Sequence, residues 1–431
     1  IVHMKKTAAI LLIALTVLSF SFAQGAKEAA PATSGTTEPV TISFSTWDFA
    51  MDPGLVKLVD RFQAEHPNIK IDRIEIDSTS YTQKLSIMLN GGSDVDVIMI
   101  KDADTTKSLS DKGQLADLSG FVKKDNIDLS AYNGLTKNFT MPDGKLVGMP
   151  FRSDWYIMYY NKDIFDKAGV AYPKNNWTWK DFEETAKKLT SGSGQTKTYG
   201  AHIHTWQACV QNWGVQDGKH TIMDKEYGFF KPYYEMVLRM QNTDKTIMDY
   251  ATLKTGNIHY SSPFLKGQVA MMPMGTWFMK TIIGKKKAGE STINWGIATL
   301  PHAEDVPAGY TVGSATPVAI NAASKKKDAA WEFVKYLTSA EGTEYYAESA
   351  AIPGRNNDKV LANIAKADGM PSGAAEALKV KNISFDRPCV DHVGDINQML
   401  GEEHSLIMLG ELSVDKGIKE MGDRAKEILG K

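Results

Sequence analysis

The sequence predicts an α/β protein in which strands and helices alternate along the chain. Residues 40–44 alternate apolar and polar side chains like a strand, whereas residues 53–65 repeat their apolar side chains at the spacing of a helix. The alternation continues with strands at 69–76 and 96–100 and a helix at 81–89. Strands and helices in this order form parallel sheets with right-handed crossovers. With 431 residues, the chain is long enough for about two domains.

The beginning of the chain is expected to lie outside the folded body. A short basic segment that starts at Met4 precedes an apolar run, residues 8–20, that is too short to span a bilayer comfortably. Small residues up to Ala23 predict a signal peptide over residues 1–23, cleaved near Ala23, and therefore an exported, soluble protein that is periplasmic or at the cell surface. Residues 24–38 are rich in Ala, Ser, Thr, Gly and Pro, which predicts a disordered lead-in.

Composition excludes one class of function and leaves the state of the cysteines open. The formal net charge is −2 at pH 7, and it becomes −4 once the two lysines of residues 1–23 are removed. A nucleic-acid-binding protein should be strongly basic, so no nucleic-acid partner is expected. Cys209 and Cys389 could pair in an oxidising compartment, but free buried thiols are at least as compatible with their wide separation.

Aromatic and acidic residues follow the ends of two predicted strands. Trp47 and Asp48 come directly after the first strand, and Asp102 and Asp104 follow the third. Ligands of parallel α/β sheets bind outside the carboxyl ends of the strands, where such side chains meet. The sequence therefore predicts a ligand-binding wall at this edge of the sheet.

A continuous aromatic stretch lies near the middle of the chain. It begins after a turn at Gly144, includes Arg152, Asp154 and Trp155, and ends with the residues WYIMYYN at Asn161. A run of this kind without helical period predicts a strand that is buried on both faces. Arg152 and Asp154 stand at the mouth of the strand beside Trp155, which makes them candidates for a second ligand wall.

Several motifs together resemble one known family. They are G-K-x-x-G-x-P followed by Y-Y-N-K-D-x-F-x-K-A-G over residues 144–169, Y-x-x-K-L-x-x-M-L-x-G-G-S-x-x-D-V-I over 81–98, FLKGQVAMMPMGTW over 264–277, and SKKKDAAWEFVKYLTS over 324–339. In order and spacing, these motifs resemble the extracellular sugar-binding proteins of ABC importers, the family 1 solute-binding proteins. The resemblance covers essentially all of the chain after the lead-in.

The resemblance implies a periplasmic-binding-protein-like fold, in which hinge crossovers join two α/β lobes and the ligand cleft lies between the lobes. Lobe one would take residues 39–150 plus 312–350. Lobe two would take residues 151–311 plus 351–431. Asp154 aligns with an acidic ligand-binding position of the maltose-binding members of the family.

The resemblance also adds residues of the later chain to the candidate site. Gly275 and Trp277 stand where a strand enters a helix, so backbone N–H groups there can donate to a ligand while Trp277 stacks on it. Trp206 and Trp213 lie in a region that supplies aromatic residues to the cleft, and Arg387 lies in a region that varies with the ligand. The predicted ligand-binding residues are Trp47, Asp48, Tyr81, Asp102, Asp104, Arg152, Asp154, Trp155, Trp206, Trp213, Gly275, Trp277 and Arg387.

Two histidines are candidate metal ligands. His202 and His204 alternate on a strand predicted from Tyr199 to His204, so they share one face. A metal site needs further ligands, and none follows nearby in the sequence. No metal and no cofactor is therefore expected.

The predicted function is binding rather than catalysis. Aromatic rings can cover the apolar faces of a sugar, while carboxylate and guanidinium groups pair with its hydroxyls. We expect a monomer that captures a sugar or oligosaccharide and delivers it to the membrane permease of an ABC importer. Two alternatives remain: a binding protein for a polyamine or a glycerophosphate, and a secreted glycoside hydrolase with Asp102 and Asp104 as acid and base.

Overall fold

The computed structural model describes residues 39–430, so the predicted signal peptide and lead-in lie outside the described residues. The strands are β1 (Val40–Trp47), β2 (Ile69–Ile76), β3 (Val97–Met99), β4 (Met149–Asn161), β5 (Met271–Gly275), β6 (Trp295–Thr299), β7 (Tyr310–Ile320) and β8 (Asn382–Phe385). They form a sheet in the order β2-β1-β3-β7-β4-β5, with β6 paired to β4 and β8 paired to β7. β1 is parallel to both β2 and β3, which confirms the parallel pairing predicted from the sequence.

Helices occupy most of the connections between the strands. They are α1 (Pro53–Glu65), α2 (Tyr81–Asn90), α3 (Ala103–Asp111), α4 (Ser119–Lys124), α5 (Lys162–Ala168), α6 (Trp179–Leu189), α7 (Ala208–Val215), α8 (Lys231–Leu238), α9 (Tyr250–Thr255), α10 (Ser261–Leu265), α11 (Phe278–Lys287), α12 (Lys327–Thr338), α13 (Ala340–Ala347), α14 (Asp358–Ile364), α15 (Ala374–Ala377), α16 (Val393–Leu409) and α17 (Val414–Ile428). Within residues 39–430, none of the helices is both long and apolar enough to cross a membrane.

The ends of two helices follow capping signals that are visible in the sequence. Thr178 caps α6, and its side chain and that of Asp181 each accept from the other's backbone N–H. Asn161 caps α5 through its side-chain oxygen. Gly169 ends α5 with a φ of 66°, a left-handed conformation that glycine adopts without strain. Both caps are therefore explained by residues that stand next to the helix in the sequence.

Two long strands, β4 and β7, run between the two parts of the sheet. The first part of β4, up to Trp155, pairs antiparallel with β7, and the second part pairs with β5 and β6. Every residue of β4 except Arg152 is buried, which confirms the strand predicted to be covered on both faces. The pairing with β7 shifts register between Pro150 and Arg152, where the proline has no N–H for the ladder.

Buried apolar side chains form distinct cores in two parts of the chain. The first core is built around β1, α1 and α12 and includes Phe44, Phe62 and Phe333. The second core is built around the end of β4 and includes Tyr159 and Phe264. We call the parts around these cores the first and second lobes. This is the two-lobed α/β fold, with crossover strands between the lobes, that the resemblance implies.

The limits of the lobes fall inside the crossovers. Phe151 and Ala351 pack in the first core, whereas Val312 and Ala350 pack in the second. Neighbouring residues near positions 150, 312 and 350 therefore serve different cores. The division of the chain into the four segments predicted from the sequence stays a prediction.

The strand predicted from Tyr199 to His204 does not form. The backbone N–H of Ala201 donates to Thr246 O at 3.1 Å, whereas the N–H of the next residue donates to Met271 O at 2.8 Å. The segment is extended, but its hydrogen bonds go to two separate parts of the chain, so no continuous ladder develops. Periodicity alone could not predict that split.

The two cysteines are free thiols. Cys209 is buried in the second core, and Cys389 is half-buried against a small cluster around β3 and α2. Burial raises the pKa of each thiol to about 12, so both are protonated at neutral pH. Of the two states left open by the sequence, the structure contains the unpaired one.

Candidate ligand-binding cleft

The first wall of the candidate site stands at the carboxyl end of β1. The ring of Trp47 is half-buried and packs on Tyr81, with ring centroids 5.1 Å apart. Lys101 Nζ lies 5.3 Å and Arg152 Cζ lies 5.7 Å from the centroid of the Trp47 ring, so two cations flank this indole. Asp48 follows with a left-handed φ of 45°, and its Oδ1 accepts a backbone N–H hydrogen bond at 3.0 Å.

Tyr81 supports this wall from the inside. The residue is 1% exposed, and its hydroxyl lies 2.7 Å from Met99 O and 3.0 Å from Ser45 O. Burial raises the pKa of the Tyr81 phenol well above its usual range, so the hydroxyl remains a hydrogen-bond donor. A direct ligand contact by Tyr81 stays a prediction. What the structure shows is a buried side chain that holds the Trp47 ring in place.

The start of α3 adds two acids to the first wall. Asp102 caps the helix, and its Oδ1 accepts from Thr105 N at 3.0 Å. Burial, and after it the neighbouring Asp104, raise the pKa of Asp102 to about 8. Asp102 therefore holds a proton at pH 7 and can donate a hydrogen bond as well as accept one. Asp104 Oδ2 accepts from Nδ2 of Asn397 on α16 at 3.0 Å, which is a contact with the second lobe.

Arg152 and Asp154 form an ion pair at the floor between the walls. Arg152 Nε lies 2.6 Å from Asp154 Oδ2, and their side chains are 12% and 3% exposed. Thr276 Oγ1 donates to the other oxygen of Asp154 at 2.8 Å. Burial raises the pKa of Asp154 although Arg152 and Thr276 oppose it, and at Arg152 the nearby acids outweigh burial and raise the pKa of the guanidinium. The two side chains lie next to each other, as the sequence predicts. Each side chain mainly binds the other one.

Trp206, Tyr260 and Trp277 form the aromatic second wall. Trp206 is 39% exposed, and the centroid of its ring lies 5.5 Å from that of Tyr260 and 6.4 Å from that of Trp277. Trp277 is half-buried and donates from Nε1 to Tyr260 Oη at 3.2 Å. The ring of His204 meets that of Trp206 edge-on at 4.7 Å. This cluster holds Trp206 while leaving one part of its indole accessible.

Gly275 makes room for the Trp277 ring. A Cβ at position 275 would lie 2.0 Å from a ring carbon of Trp277, so any side chain would displace the indole. β5 ends at Gly275 and α11 begins at Phe278, as the sequence predicts. The backbone N–H of Thr276 already donates to Trp155 O at 2.9 Å. That N–H is therefore occupied, whereas ligand contacts by Gly275 and Trp277 stay predictions.

Two other predicted tryptophans lie in the second core. Trp155 and Trp213 are both buried, and the Trp213 ring lies 4.7 Å from Trp179 and 5.4 Å from Tyr156. Among the described residues, neither indole N–H has a hydrogen-bond partner. Ligand contacts by Trp155 and Trp213 stay predictions. In the structure both rings pack beneath the second wall, because β4 and α7 turn them inward.

Arg387 lies at the end of a polar chain that connects the two lobes. Its Nε donates to Asn397 Oδ1 at 2.5 Å, its Nη1 donates to Asp386 O at 2.8 Å, and the same Nη1 lies 3.5 Å from Asn212 Oδ1. Asn397 in turn bonds Asp104 of the first lobe. Burial and the nearby Asp104, opposed by Arg387, raise the pKa of Asp386 to about 6. The predicted residues Asp104 and Arg387 are thus joined through an asparagine.

Sequence reasoning missed four residues of this cleft: Lys101, Tyr260, Asp386 and Asn397. Lys101 follows the end of β3 after a single residue, so the strand-end rule that selected Asp102 should have included it. Asp386 ends β8 in the same manner, but no strand was predicted there. Tyr260 and Asn397 carry no local signal, because only the tertiary fold brings them to the walls.

The histidines of this region do not form a metal site. The rings of His202 and His204 are 5.9 Å apart. Burial lowers the pKa of His202 to about 4 and that of His204 to about 3, so both rings are neutral at pH 7. Within residues 39–430, no group of three or more His, Cys, Asp or Glu side chains is arranged to hold a metal ion.

Comparison with known proteins places this geometry in a family. The profile of the bacterial extracellular solute-binding proteins matches residues 50–344, which is more than half of the chain. The chain belongs to this family. The match confirms the resemblance seen in the sequence motifs. The space between the two walls is therefore the candidate solute-binding cleft.

Solved structures agree with the family assignment of this solute-binding protein. The crystal structure of a sugar transporter from Rhizobium etli, in an open conformation, is 44% identical, with a TM-score of 0.75 over 90% of this chain and 99% of that chain. An ABC substrate-binding protein from Listeria monocytogenes in complex with cycloalternan is 23% identical, with a TM-score of 0.76 over 91% and 100% of the two chains. These matches confirm the two-lobed fold.

One curated relative bears on the alternative ligands. The sn-glycerol-3-phosphate-binding periplasmic protein of Brucella abortus is 27% identical over 225 residues, which is 48% of this chain and 49% of that protein. The family and these neighbours are binding proteins. Binding is therefore the shared property of this solute-binding protein and its relatives, while the ligand differs among them.

Proposed function

We propose that the protein captures a sugar or oligosaccharide between its two lobes and delivers it to the permease of an ABC importer. The observation that carries the proposal is the pair of partly exposed aromatic walls beside the Arg152–Asp154 ion pair, with Trp47 on the first lobe and Trp206 with Trp277 on the second. Acids stand beside the first wall. The likeness to a sugar transporter that is 44% identical supports the same ligand class.

The chemistry of the walls suits a sugar. A pyranose ring has apolar C–H faces, which indole rings cover, and a rim of hydroxyls that need hydrogen-bond partners once water is removed. Asp48, Asp104 and Asp386 can accept from hydroxyls, and a protonated Asp102 can donate to one. Contacts to both walls stabilise the closed arrangement of the lobes relative to the open one, by the difference in ligand affinity between the two.

The charge of the cleft argues against a phosphate ester. Glycerophosphate would need unpaired cations, but Arg152 is paired with Asp154 and Arg387 donates to Asn397. Burial lowers the pKa of Lys101, and the neighbouring carboxyl groups of Asp102 and Asp48 oppose this effect only in part. A cationic polyamine is the second candidate. The cleft contains more acidic side chains than cationic side chains that lack a carboxylate partner.

A melting-temperature screen separates these ligand classes. Purified protein is heated with mono-, di- and oligosaccharides, with putrescine and spermidine, and with sn-glycerol 3-phosphate, each in large excess. We expect sugars alone to raise the melting temperature, since a ligand at 100 times its Kd adds about 2.7 kcal/mol to the free energy of unfolding. A rise with amines or glycerophosphate and none with sugars would overturn the proposal.

The same samples test the hydrolase alternative. Sugar recovered after prolonged incubation should be chemically intact, because the protein is proposed to bind and not to react. Chromatographic detection of shortened products would show instead that Asp102 and Asp104 act as a catalytic pair. Boiled protein serves as the control for spontaneous hydrolysis.

Replacing Trp206 with alanine should weaken sugar binding by about tenfold, because the accessible stacking face of the second wall is lost. Tyr172 is a matched control, since it is also 39% exposed but packs on Tyr160 and Phe165 away from both walls. Isothermal titration should therefore give Tyr172→Ala the affinity of the unaltered protein. Equal losses in the two variants would show that Trp206 is not part of the site.

The proposal includes export and delivery. Residues 1–23 act as the signal peptide, and mass spectrometry of the secreted protein should find a chain that begins after Ala23. The mature protein works as a monomer, with lobe one over residues 39–150 plus 312–350 and lobe two over the remaining folded residues. In its closed form it presents both lobes to the membrane permease.

A further inference from the structure

A buried group of charged and polar side chains joins the two lobes near the Arg152–Asp154 ion pair. Lys280 Nζ forms an ion pair with Asp52 Oδ2, and the two side chains are 9% and 10% exposed. Tyr346 Oη lies 3.0 Å from the same oxygen of Asp52 and 3.2 Å from Lys280 Nζ. Burial opposes the ionisation of Asp52, but Lys280 and the nearby Arg152 outweigh it and lower the pKa of Asp52.

The partners come from different lobes. Asp52 caps α1 by accepting from Leu55 N at 3.2 Å, and α1 and Tyr346 pack in the first core. Lys280 lies in the first turn of α11, whose neighbouring Phe278 packs in the second core. The hydrogen bonds of this group therefore cross from one lobe to the other.

Each partner is also close in sequence to a ligand wall. Asp52 lies four residues after Asp48 in the sequence. Lys280 lies three residues after Trp277, at the start of α11. The Asp52–Lys280 ion pair therefore links the segment that carries Trp47 with the segment that carries Trp277. An ion pair at this position can act on the width of the cleft without touching the ligand.

We propose that Asp52, Lys280 and Tyr346 form a clasp that stabilises the closed arrangement of the lobes and so sets the affinity for the ligand. The proposal rests on the function proposed above. The three are positioning residues, since they face one another and not the cleft walls. A second group, Lys107 with Asp391, also joins the lobes, but Asp391 is 70% exposed and water screens that pair.

The physical basis is the difference between water and the closed interior. When the lobes separate, the Lys280 ammonium and the Asp52 carboxylate are hydrated separately, whereas on closure they lose water and compensate each other. Removing one partner leaves the other charge buried and uncompensated only in the closed form. The open form is then favoured, and the apparent Kd rises in inverse proportion to the fraction of protein that remains closed.

The test compares Lys280→Met with the double variant Asp52→Asn plus Lys280→Met. Asparagine still caps α1, and the double variant buries no unpaired charge. We expect Lys280→Met to show a larger radius of gyration than the unaltered protein in small-angle X-ray scattering without ligand. Its Kd for the sugar with the largest melting shift in the screen should rise about tenfold, and the double variant should recover part of both effects.

Lys326→Met is the control, because Lys326 pairs at 3.2 Å with the buried Asp96 inside the first lobe alone. It should leave the radius of gyration and the Kd unchanged. If Lys280→Met lowers only the melting temperature and leaves both of these quantities unchanged, the pair is structural and the clasp is overturned. Should Lys280→Met fail to fold, Tyr346→Phe, which removes a single hydroxyl, must shift the same two readouts in the same direction.

The clasp and the proposed function can fail separately. Scattering without ligand measures the opening of the lobes whether or not the protein binds sugar. A larger radius in Lys280→Met, together with no sugar binding by the unaltered protein, would keep the clasp and reject the ligand class. An unchanged radius of gyration, together with tight sugar binding by both proteins, would reject the clasp and keep the ligand class.

Discussion

Replacing Asp154 with alanine should lower the free energy of unfolding by about 3–5 kcal/mol. The carboxylate is almost completely buried against Arg152, and Thr276 bonds its second oxygen. Without the Asp154 carboxylate, the Arg152 guanidinium would remain largely buried at the floor of the cleft without its ion-pair partner. Urea unfolding at pH 7, followed by tryptophan fluorescence, measures the loss.

Asp143 offers a matched control for this substitution. It forms an ion pair with Lys145 at 2.6 Å, but the two side chains are 54% and 57% exposed. Asp143→Ala should therefore lower the free energy of unfolding far less than Asp154→Ala does, because water screens the exposed pair. A cost for Asp154→Ala no greater than that of Asp143→Ala would contradict the buried ion pair. Changing Arg152 to methionine in the Asp154→Ala background should recover part of the loss, because no unpaired charge then remains.

Lowering the pH from 7.5 to 5.5 should remove about 4 kcal/mol of stability through three buried histidines, about 1.4 kcal/mol for each. Burial lowers the pKa of His202 to about 4 and those of His204 and His404 to about 3. In the unfolded chain these rings take up protons below about pH 6.5. As the pH falls, the unfolded state therefore gains protons before the folded state does. The contribution is complete above pH 6.5 and is lost toward pH 4 and below.

Two acids act in the opposite direction. Burial, with nearby acids, raises the pKa of Asp102 to about 8 and that of Asp386 to about 6. For these groups the folded state takes up the proton first as the pH falls, so acidification stabilises it. The share of the histidines must therefore be measured as a difference between two proteins at the same pH.

His202→Leu isolates one histidine. Neither ring nitrogen of His202 has a partner among the described residues, so leucine removes no hydrogen bond there. The stability of the variant relative to the unaltered protein should improve by about 1.4 kcal/mol between pH 7.5 and pH 5.5. Chemical denaturation at the two pH values gives this difference. A gap that does not change with pH would show that His202 takes up its proton as readily in the folded protein as in the unfolded chain.

Local signals in the sequence predicted much of the fold. The run of apolar residues in β4, the caps at Thr178 and Asn161, and the αL glycine at position 169 each involve residues within a few positions of one another. Their physics is local, so spacing is enough to find them. The strand-end rule likewise selected Trp47, which ends β1 and is half-buried in the structure, while its contact with a ligand stays a prediction.

The parts that the sequence did not predict depend on contacts between distant residues. Trp155 and Trp206 look alike in sequence, but one points into the core and the other is accessible, because a strand covered on both faces has no outward side. Asn397 reaches Asp104 across 293 positions, and Lys280 reaches Asp52 across 228. No periodic pattern reports such pairs. The side chains that join the lobes therefore had to come from the structure.

A crystal structure with bound sugar tests the central claim most directly. The sugar that most stabilises the protein in the melting screen is the one to use. The account predicts that its ring lies between Trp47 of the first lobe and Trp206 or Trp277 of the second, with hydroxyls bonded to Asp102, Asp104 or Asp386. A sugar bound to one lobe alone, or at a surface away from these three indoles, would contradict it.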